Sequence, residues 1–190
     1  MAETKKNSVW ADRFLFGAIV QGTVSFVVMG YLLYLSATIP AGEPSPARVV
    51  AGGSAGMWMV TGLIGYALVG VLGIAVSALF YHYLEVVKGA PYTGWRNLCA
   101  WAHLVVGGGA ASIGALWAAF AGLEGGMAQL RGEGAIVHSQ ILGPIVEPLG
   151  ALFALALAGF FAGGVGFVTA WFNVWRKERA GGGEEPAAPA

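Results

Sequence analysis

Charged residues are scarce in this chain of 190 residues. They make up 11% of the sequence, whereas a soluble domain carries about 25%. The ten basic and ten acidic side chains cancel, so no basic surface for nucleic acid is expected. The charges that are present lie mainly near the two ends and in short connections. This distribution excludes an ordinary soluble domain and a nucleic-acid-binding protein.

The chain has one cysteine, Cys99, which excludes an internal disulfide. A lone cysteine among apolar residues is typical of a small packing residue. The sequence has no glycine-rich phosphate loop, no CxxC or HExxH pattern and no nucleophilic serine elbow. No acidic residue lies deep in an apolar run, so the usual carriers of a proton or cation relay are missing. We therefore expect neither a catalytic activity of its own nor ion-coupled transport.

Four apolar runs separate the charged segments, and each exceeds the roughly 20 residues that a helix needs to cross a bilayer. They predict an all-α fold, a four-helix transmembrane bundle within residues 13–178. A polar cytoplasmic segment, residues 1–12, precedes the bundle, and a disordered low-complexity tail, residues 179–190, follows it. The predicted helices cover residues 13–38, 55–87, 97–123 and 148–175.

The predicted connections differ in length and in character. Residues 39–54 contain three prolines and three glycines, which argue against a helix through their middle. Residues 124–147 form the longest connection and hold enough apolar side chains for a short helix on the membrane surface. Pro148 then suits the first turn of the last helix.

Small residues recur along one side of three predicted helices, where they allow helix backbones to approach closely. Gln21, inside the first helix, should also face the bundle, because an amide at that depth needs a hydrogen-bonding partner. These features predict a tightly packed bundle without a wide pore. The three rows are Gly62, Gly65, Gly70, Gly73 and Ser77; Gly107, Ala111, Gly114, Ala118 and Gly122; and Ala156, Gly159, Gly163, Gly166 and Ala170.

Lysine and arginine residues are concentrated at one set of helix ends. Eight of them flank the amino terminus, the 88–96 turn and the carboxyl end, against Arg48 and Arg131 on the other side. The positive-inside rule therefore predicts a multi-pass protein of the cell membrane with cytoplasmic N- and C-termini. Aromatic residues on the same side, among them Trp10 and Tyr81, are expected at the membrane surface.

Two histidines flank the short turn between the second and third predicted helices. His82 precedes Lys88 by about 9 Å along a helix, and His103 follows Arg96 by about 10 Å along the next one. Because both basic residues are expected at the membrane surface, the two histidine rings are predicted at a similar depth below it. The row of small residues continues through His103, so this side chain should point into the bundle. Glu85, one turn after His82, is positioned in sequence to accept a hydrogen bond from the His82 ring.

Three interpretations of His82, His103 and Glu85 stay open. The histidines could be the two axial ligands of a haem b, with the three glycines that follow His103 leaving room for the flat ring. They could instead contact a quinone head group. They could also be ordinary interfacial side chains bonded to backbone or water. The first two interpretations predict a cofactor site at these three residues, and none of the three predicts a site for a metal ion alone.

The segment Trp101-Ala102-His103-Leu104 opens a glycine-rich apolar helix. It resembles helices in the haem-bearing subunit of haem–copper oxidases and its small relatives, where a His-x-His-Leu-like stretch often opens a helix. Trp101 stands where the first histidine would be. The family uses six histidines for two haems and a copper, whereas this chain has two in its predicted helices. The resemblance therefore implies an accessory or degenerate relative rather than a catalytic subunit.

The leading expectation is a non-catalytic membrane subunit of a respiratory electron-transfer complex. The complex would be a terminal oxidase of the haem–copper type. Its partners would be the lipid bilayer and other membrane subunits. One alternative is a self-standing di-histidine haem b or quinone-binding membrane protein. Another is a small transporter or channel-like protein without redox chemistry.

Overall fold

The computed structural model describes residues 7–181, and within them every regular element is a helix. Four helices are long and apolar enough to cross a membrane, and the prediction of an all-α four-helix bundle is confirmed. The shortest of the four has 30 residues, about 45 Å of helix, which exceeds the roughly 30 Å hydrocarbon core. The predicted disordered tail lies outside the described residues from position 182 onward. The helices are α1 (Val9–Thr38), α2 (Pro46–Gly52), α3 (Gly56–Val87), α4 (Trp95–Leu130) and α5 (Gly134–Ala180).

Helix α1 begins before the apolar run, inside the segment predicted to precede the bundle. The Ser8 side chain caps it by accepting a hydrogen bond from the Ala11 backbone nitrogen at 3.0 Å, and Asp12 lies in the first turn, where a carboxylate is favourable. The carboxylate of Glu85, at the end of α3, accepts hydrogen bonds from the Ser8 hydroxyl and from the Trp10 backbone nitrogen, the latter at 3.2 Å. The start of α1 is therefore fastened to the end of α3.

The first connection contains a helix, in contrast to the prediction for residues 39–54. Helix α2 begins at Pro46, where a proline loses no helical hydrogen bond, and ends before Gly53, which has a φ of +63°. The side chain of Val49 packs into α4: a Cβ placed at Gly126 would lie 2.3 Å from a Val49 methyl carbon. The short helix forms because it buries apolar surface against the bundle.

The long connection predicted at residues 124–147 is reduced to a turn of residues 131–133. Helix α4 continues to Leu130, and α5 begins at Gly134 and runs through Pro148 without a break. Val137, Leu142 and Ile145, expected on the membrane surface, are buried in a cluster with alanines of α4. Burial of these side chains outweighs the hydrogen bond lost at the proline, a loss that neighbouring helices make tolerable in membrane proteins.

Helix α4 lies at the centre of the bundle, between α3 and α5. Of its most apolar stretch 56% is buried, against 11% for α1, which packs mainly along α3. Glycines allow these contacts: a Cβ placed at Gly122 would lie 2.1 Å from the Met59 backbone nitrogen of α3, and one at Gly159 would lie 2.2 Å from the Gly107 backbone nitrogen. The small residues of α4 therefore serve two neighbours, not the single face that their spacing predicts.

Candidate functional site

His103 is buried where all four spanning helices meet, as the row of small residues in α4 predicts. Its side chain is 9% exposed. The centroid of its ring lies 4.9 Å from that of Phe14 in α1 and 6.0 Å from that of Tyr81 in α3. The rings of Phe160 and Phe167 in α5 meet it edge-on at 5.8 and 5.7 Å. One imidazole thus contacts α1, α3 and α5 from its position on α4.

Both ring nitrogens of His103 have partners on α3. The Tyr81 hydroxyl lies 3.3 Å from Nδ1, and the Ser77 Oγ lies 3.5 Å from Nε2. The Ser77 hydroxyl donates to the Gly73 carbonyl at 2.8 Å, so its oxygen is left to accept. One assignment satisfies all three bonds: Tyr81 donates to Nδ1, and Nε2–H donates to Ser77. His103 is then a neutral imidazole protonated on Nε2.

The face of the His103 ring is closed by α5. A Cβ placed at Gly163 would lie 2.4 Å from the ring carbon Cγ and 2.5 Å from Nδ1. Two of the three glycines after His103 are also covered: a Cβ at Gly107 would lie 2.9 Å from Phe160, and one at Gly108 would lie 2.9 Å from Ile74. The space predicted for a flat ring beside His103 is filled by side chains of the bundle.

His82 lies apart from His103. It is exposed on the outside of α3, and among residues 7–181 no hydrogen bond or ring contact joins the two histidines. Glu85, predicted to bond the His82 ring, uses its carboxylate on Ser8 and Trp10. The structure therefore assigns the three predicted site residues to three different surroundings: the bundle centre, its outer surface and the start of α1.

This arrangement does not fit a haem held between His82 and His103. An axial histidine directs an unshared ring nitrogen at the iron, at the roughly 2 Å typical of metal–imidazole bonds. Both nitrogens of His103 already have hydrogen-bonding partners, and Gly163 lies against its ring. His103 is here a neutral imidazole whose two nitrogens are both hydrogen-bonded, and its role is to hold helices together.

Several residues of this site were not predicted from the sequence. Trp10, Tyr81 and Tyr92, expected at the membrane surface, are 1%, 0% and 5% exposed and form one buried cluster. The Tyr92 hydroxyl has no partner among residues 7–181, and burial raises the pKa of this side chain. A signal for Tyr81 exists, because it follows Ser77 by four residues and so extends the row of small residues on α3.

A second polar contact lies deeper in the bundle. The Tyr66 hydroxyl of α3 donates to Gln21 of α1, at 3.1 Å from its backbone oxygen and in contact with its side-chain oxygen. The prediction that Gln21 faces a partner within the bundle is confirmed. Like the contact at His103, this one joins two helices.

No group of three His, Cys, Asp or Glu side chains able to hold a metal ion occurs between residues 7 and 181. Comparisons with protein-family models, with curated proteins and with solved structures find no match.

Proposed function

We propose that this chain is a non-catalytic integral membrane subunit of a respiratory electron-transfer complex, a terminal oxidase of the haem–copper type. The observation that carries the proposal is the state of His103. This histidine belongs to the segment that resembles an oxidase helix, yet its two ring nitrogens bond to Ser77 and Tyr81. A histidine used in this way supports a helix scaffold that holds no redox group of its own.

The outer surface of the bundle suits a chain that is surrounded by lipid and by other membrane subunits. Large apolar side chains are exposed along α1 and α5, with Phe26 80% and Phe161 75% exposed. Such surfaces are stable only in a bilayer or against another apolar helix. Within a larger complex, part of this surface would contact partner subunits.

We also propose that both termini are cytoplasmic. The contacts of Glu85 with the start of α1, and an ion pair of 3.0 Å between Lys88 and Glu178, bring three helix ends together at one end of the bundle. This end carries most of the lysine and arginine residues. The positive-inside rule favours the cytoplasmic side for it.

The test is purification of the tagged chain from its native membranes in a mild detergent, followed by visible spectroscopy and identification of comigrating subunits. We expect the chain to comigrate with haem-bearing oxidase subunits. When produced alone, it should show no haem absorption. A stoichiometric haem b in the isolated chain, lost in both His82→Ala and His103→Ala, would instead establish the di-histidine alternative.

Two other outcomes would overturn the proposal. Retention of a stoichiometric quinone by the isolated chain would establish a quinone-binding protein. A colourless chain that comigrates with no redox subunit would favour the transporter or channel-like class. Flux across proteoliposomes that contain the isolated chain would then be the next measurement.

A further inference from the structure

An aromatic groove lies between α3 and α5 on the outside of the bundle, near its charged end. Its volume is about 550 Å³. Ser77 and Tyr83 are the residues of the groove that carry a hydroxyl, and the Ser77 hydroxyl already donates to the Gly73 carbonyl. Both helices that form the groove, α3 and α5, pack on α4. Its apolar walls are Phe80, Leu84, Phe167, Val168, Trp171 and Phe172.

A basic pocket of about 230 Å³ lies between the α3–α4 connection and the last turns of α5. Lys88, Arg96 and Lys177 contribute three positive charges and Glu178 one negative charge, a net charge of +2. Asn173 adds an amide. The pocket thus presents several hydrogen-bond donors and a positive potential at the level of the helix ends.

Lys88 joins the two cavities. Its ammonium nitrogen lies 3.0 Å from a Glu178 carboxylate oxygen and 5.8 Å from the centre of the Trp171 ring, which lines the groove. The Trp171 ring also stacks on Tyr83 at 6.3 Å, the kind of aromatic pair found at the level of lipid head groups. The bond to Glu178 raises the pKa of Lys88, so this lysine stays positively charged.

We propose that the basic pocket binds the phosphate head group of an anionic phospholipid, with one acyl chain of that lipid in the aromatic groove. The net charge of +2 favours an anionic head group over a zwitterionic one, and basic pockets between membrane helices are suited to such head groups. The ammonium of Lys88 in the pocket lies 5.8 Å from the centre of the Trp171 ring in the groove, and an apolar groove this close to a basic pocket favours a lipid over free phosphate. On binding, Lys88 exchanges part of its contact with Glu178 for the lipid phosphate.

The experiment uses the full chain in detergent, titrated with phosphatidylglycerol or with phosphatidylcholine carrying the same acyl chains. Native mass spectrometry counts bound lipid, and the thermal midpoint reports stabilisation. We expect one tightly bound phosphatidylglycerol and a raised midpoint, with weaker binding of phosphatidylcholine. Equal binding of the two lipids would overturn the charge argument. Stabilisation by inorganic phosphate alone, equal to that by phosphatidylglycerol, would overturn the lipid assignment.

Two neighbouring cations on α5 provide a matched pair of variants. Lys177 lines the pocket, whereas Arg176 is exposed outside it. Lys177→Ala should weaken phosphatidylglycerol binding about fivefold, the effect of one basic residue near a membrane surface. Arg176→Ala removes the same charge and should leave the affinity within about twofold of the wild type, because the residue does not reach the pocket. Equal losses in both variants would mean that the lipid is attracted only by overall charge.

A second pair tests the acyl-chain half of the proposal. Val168 lines the groove, and Leu155 is exposed on the same helix outside it. Val168→Trp should fill the groove and weaken phosphatidylglycerol binding, whereas Leu155→Trp should not. Circular dichroism confirms that each variant is folded. Unchanged binding in folded Val168→Trp would exclude the groove as the seat of the acyl chain.

Discussion

A histidine inside an apolar bundle needs partners for both ring nitrogens, and His103 finds them one turn apart on α3. Ser77 and Tyr81 are four residues apart and so lie on one face of that helix. The ring then excludes any side chain at Gly163. A single residue of α4 thereby fixes the rotation of α3 and the distance of α5, which explains its burial without a bound ligand.

Removal of the His103 side chain should destabilise the bundle far more than removal of His82. His103→Ala leaves a cavity among Phe14, Tyr81 and Phe160, so we expect a loss of about 2–4 kcal/mol in the free energy of unfolding. His82→Ala changes an exposed side chain and should cost about 0.5 kcal/mol or less. Unfolding of the two purified variants in mixed detergent micelles measures the difference. Similar losses would show that His103 is not the central contact described here.

The inward direction of His103 could be predicted from the sequence, but the outward direction of His82 could not. Depth follows from counting residues along a helix, and Tyr81, the residue before His82, does contact His103. Facing depends on rotation, and one residue turns a helix by about 100°. Tyr81, next to His82, occupies the inward position. Ala102–Gly108 and Tyr83–Val87 are π-helical, which changes the direction of the side chains around each helix axis. A pattern with a period of 3.6 residues does not predict such stretches.

The contact between α4 and α5 depends on glycines that no other residue can replace without movement of a helix. Gly159 lies against the Gly107 backbone, and Gly163 lies against His103. Both belong to the row predicted on α5, so the sequence identified this face. It placed the start of α5 too late, at Pro148, because a proline suits the first turn of a helix. The apolar neighbours of this proline are buried, and the helix continues.

Two glycines of α5 allow a matched test of this contact. Gly159→Ala places a Cβ 2.2 Å from the Gly107 nitrogen, and the resulting displacement of α4 should cost about 1–3 kcal/mol of stability in detergent. For Gly164→Ala, apart from the adjacent residues and the local backbone of α5, no atom of residues 7–181 lies within 4 Å of the new Cβ. Because alanine favours helix over glycine, this variant should be neutral or stabilised by up to about 1 kcal/mol. A Gly159→Ala variant as stable as Gly164→Ala would place the α4–α5 contact elsewhere on the helices.

Positive charge is concentrated at one end of the bundle, and contacts between side chains bring the charged helix ends together there. Helix ends rich in lysine and arginine meet at the Glu85 and Lys88 contacts, and α2 packs near the opposite end, with Gly52 close to Leu130. Hydropathy was enough to predict four crossings. The neighbour order α1–α3–α4–α5 was not predictable, because apolar residues surround each helix and no polar face marks the outer side.

Labelling of single cysteines tests the proposed orientation. In a Cys99→Ser background, Glu43→Cys and Thr93→Cys each introduce a thiol at an exposed position, one at each end of the bundle. We expect a membrane-impermeant maleimide to label the first variant in intact cells and the second only after lysis, because positive charge retains the second end in the cytoplasm. The reverse pattern would invert the molecule in the membrane.

The hydrogen bonds between the start of α1 and Glu85 can form only after Glu85 has been synthesised. The Glu85 carboxylate and the Trp10 nitrogen are 75 residues apart in sequence. At about 5–20 residues per second, a ribosome makes Glu85 about 4–15 s after Trp10. During this interval Trp10 and Phe14, almost fully buried in the finished bundle, have no aromatic partner from α3. The contact between the start of α1 and the end of α3 can therefore form only after almost all of α3 has been synthesised, later than the contact of Gln21 with Tyr66.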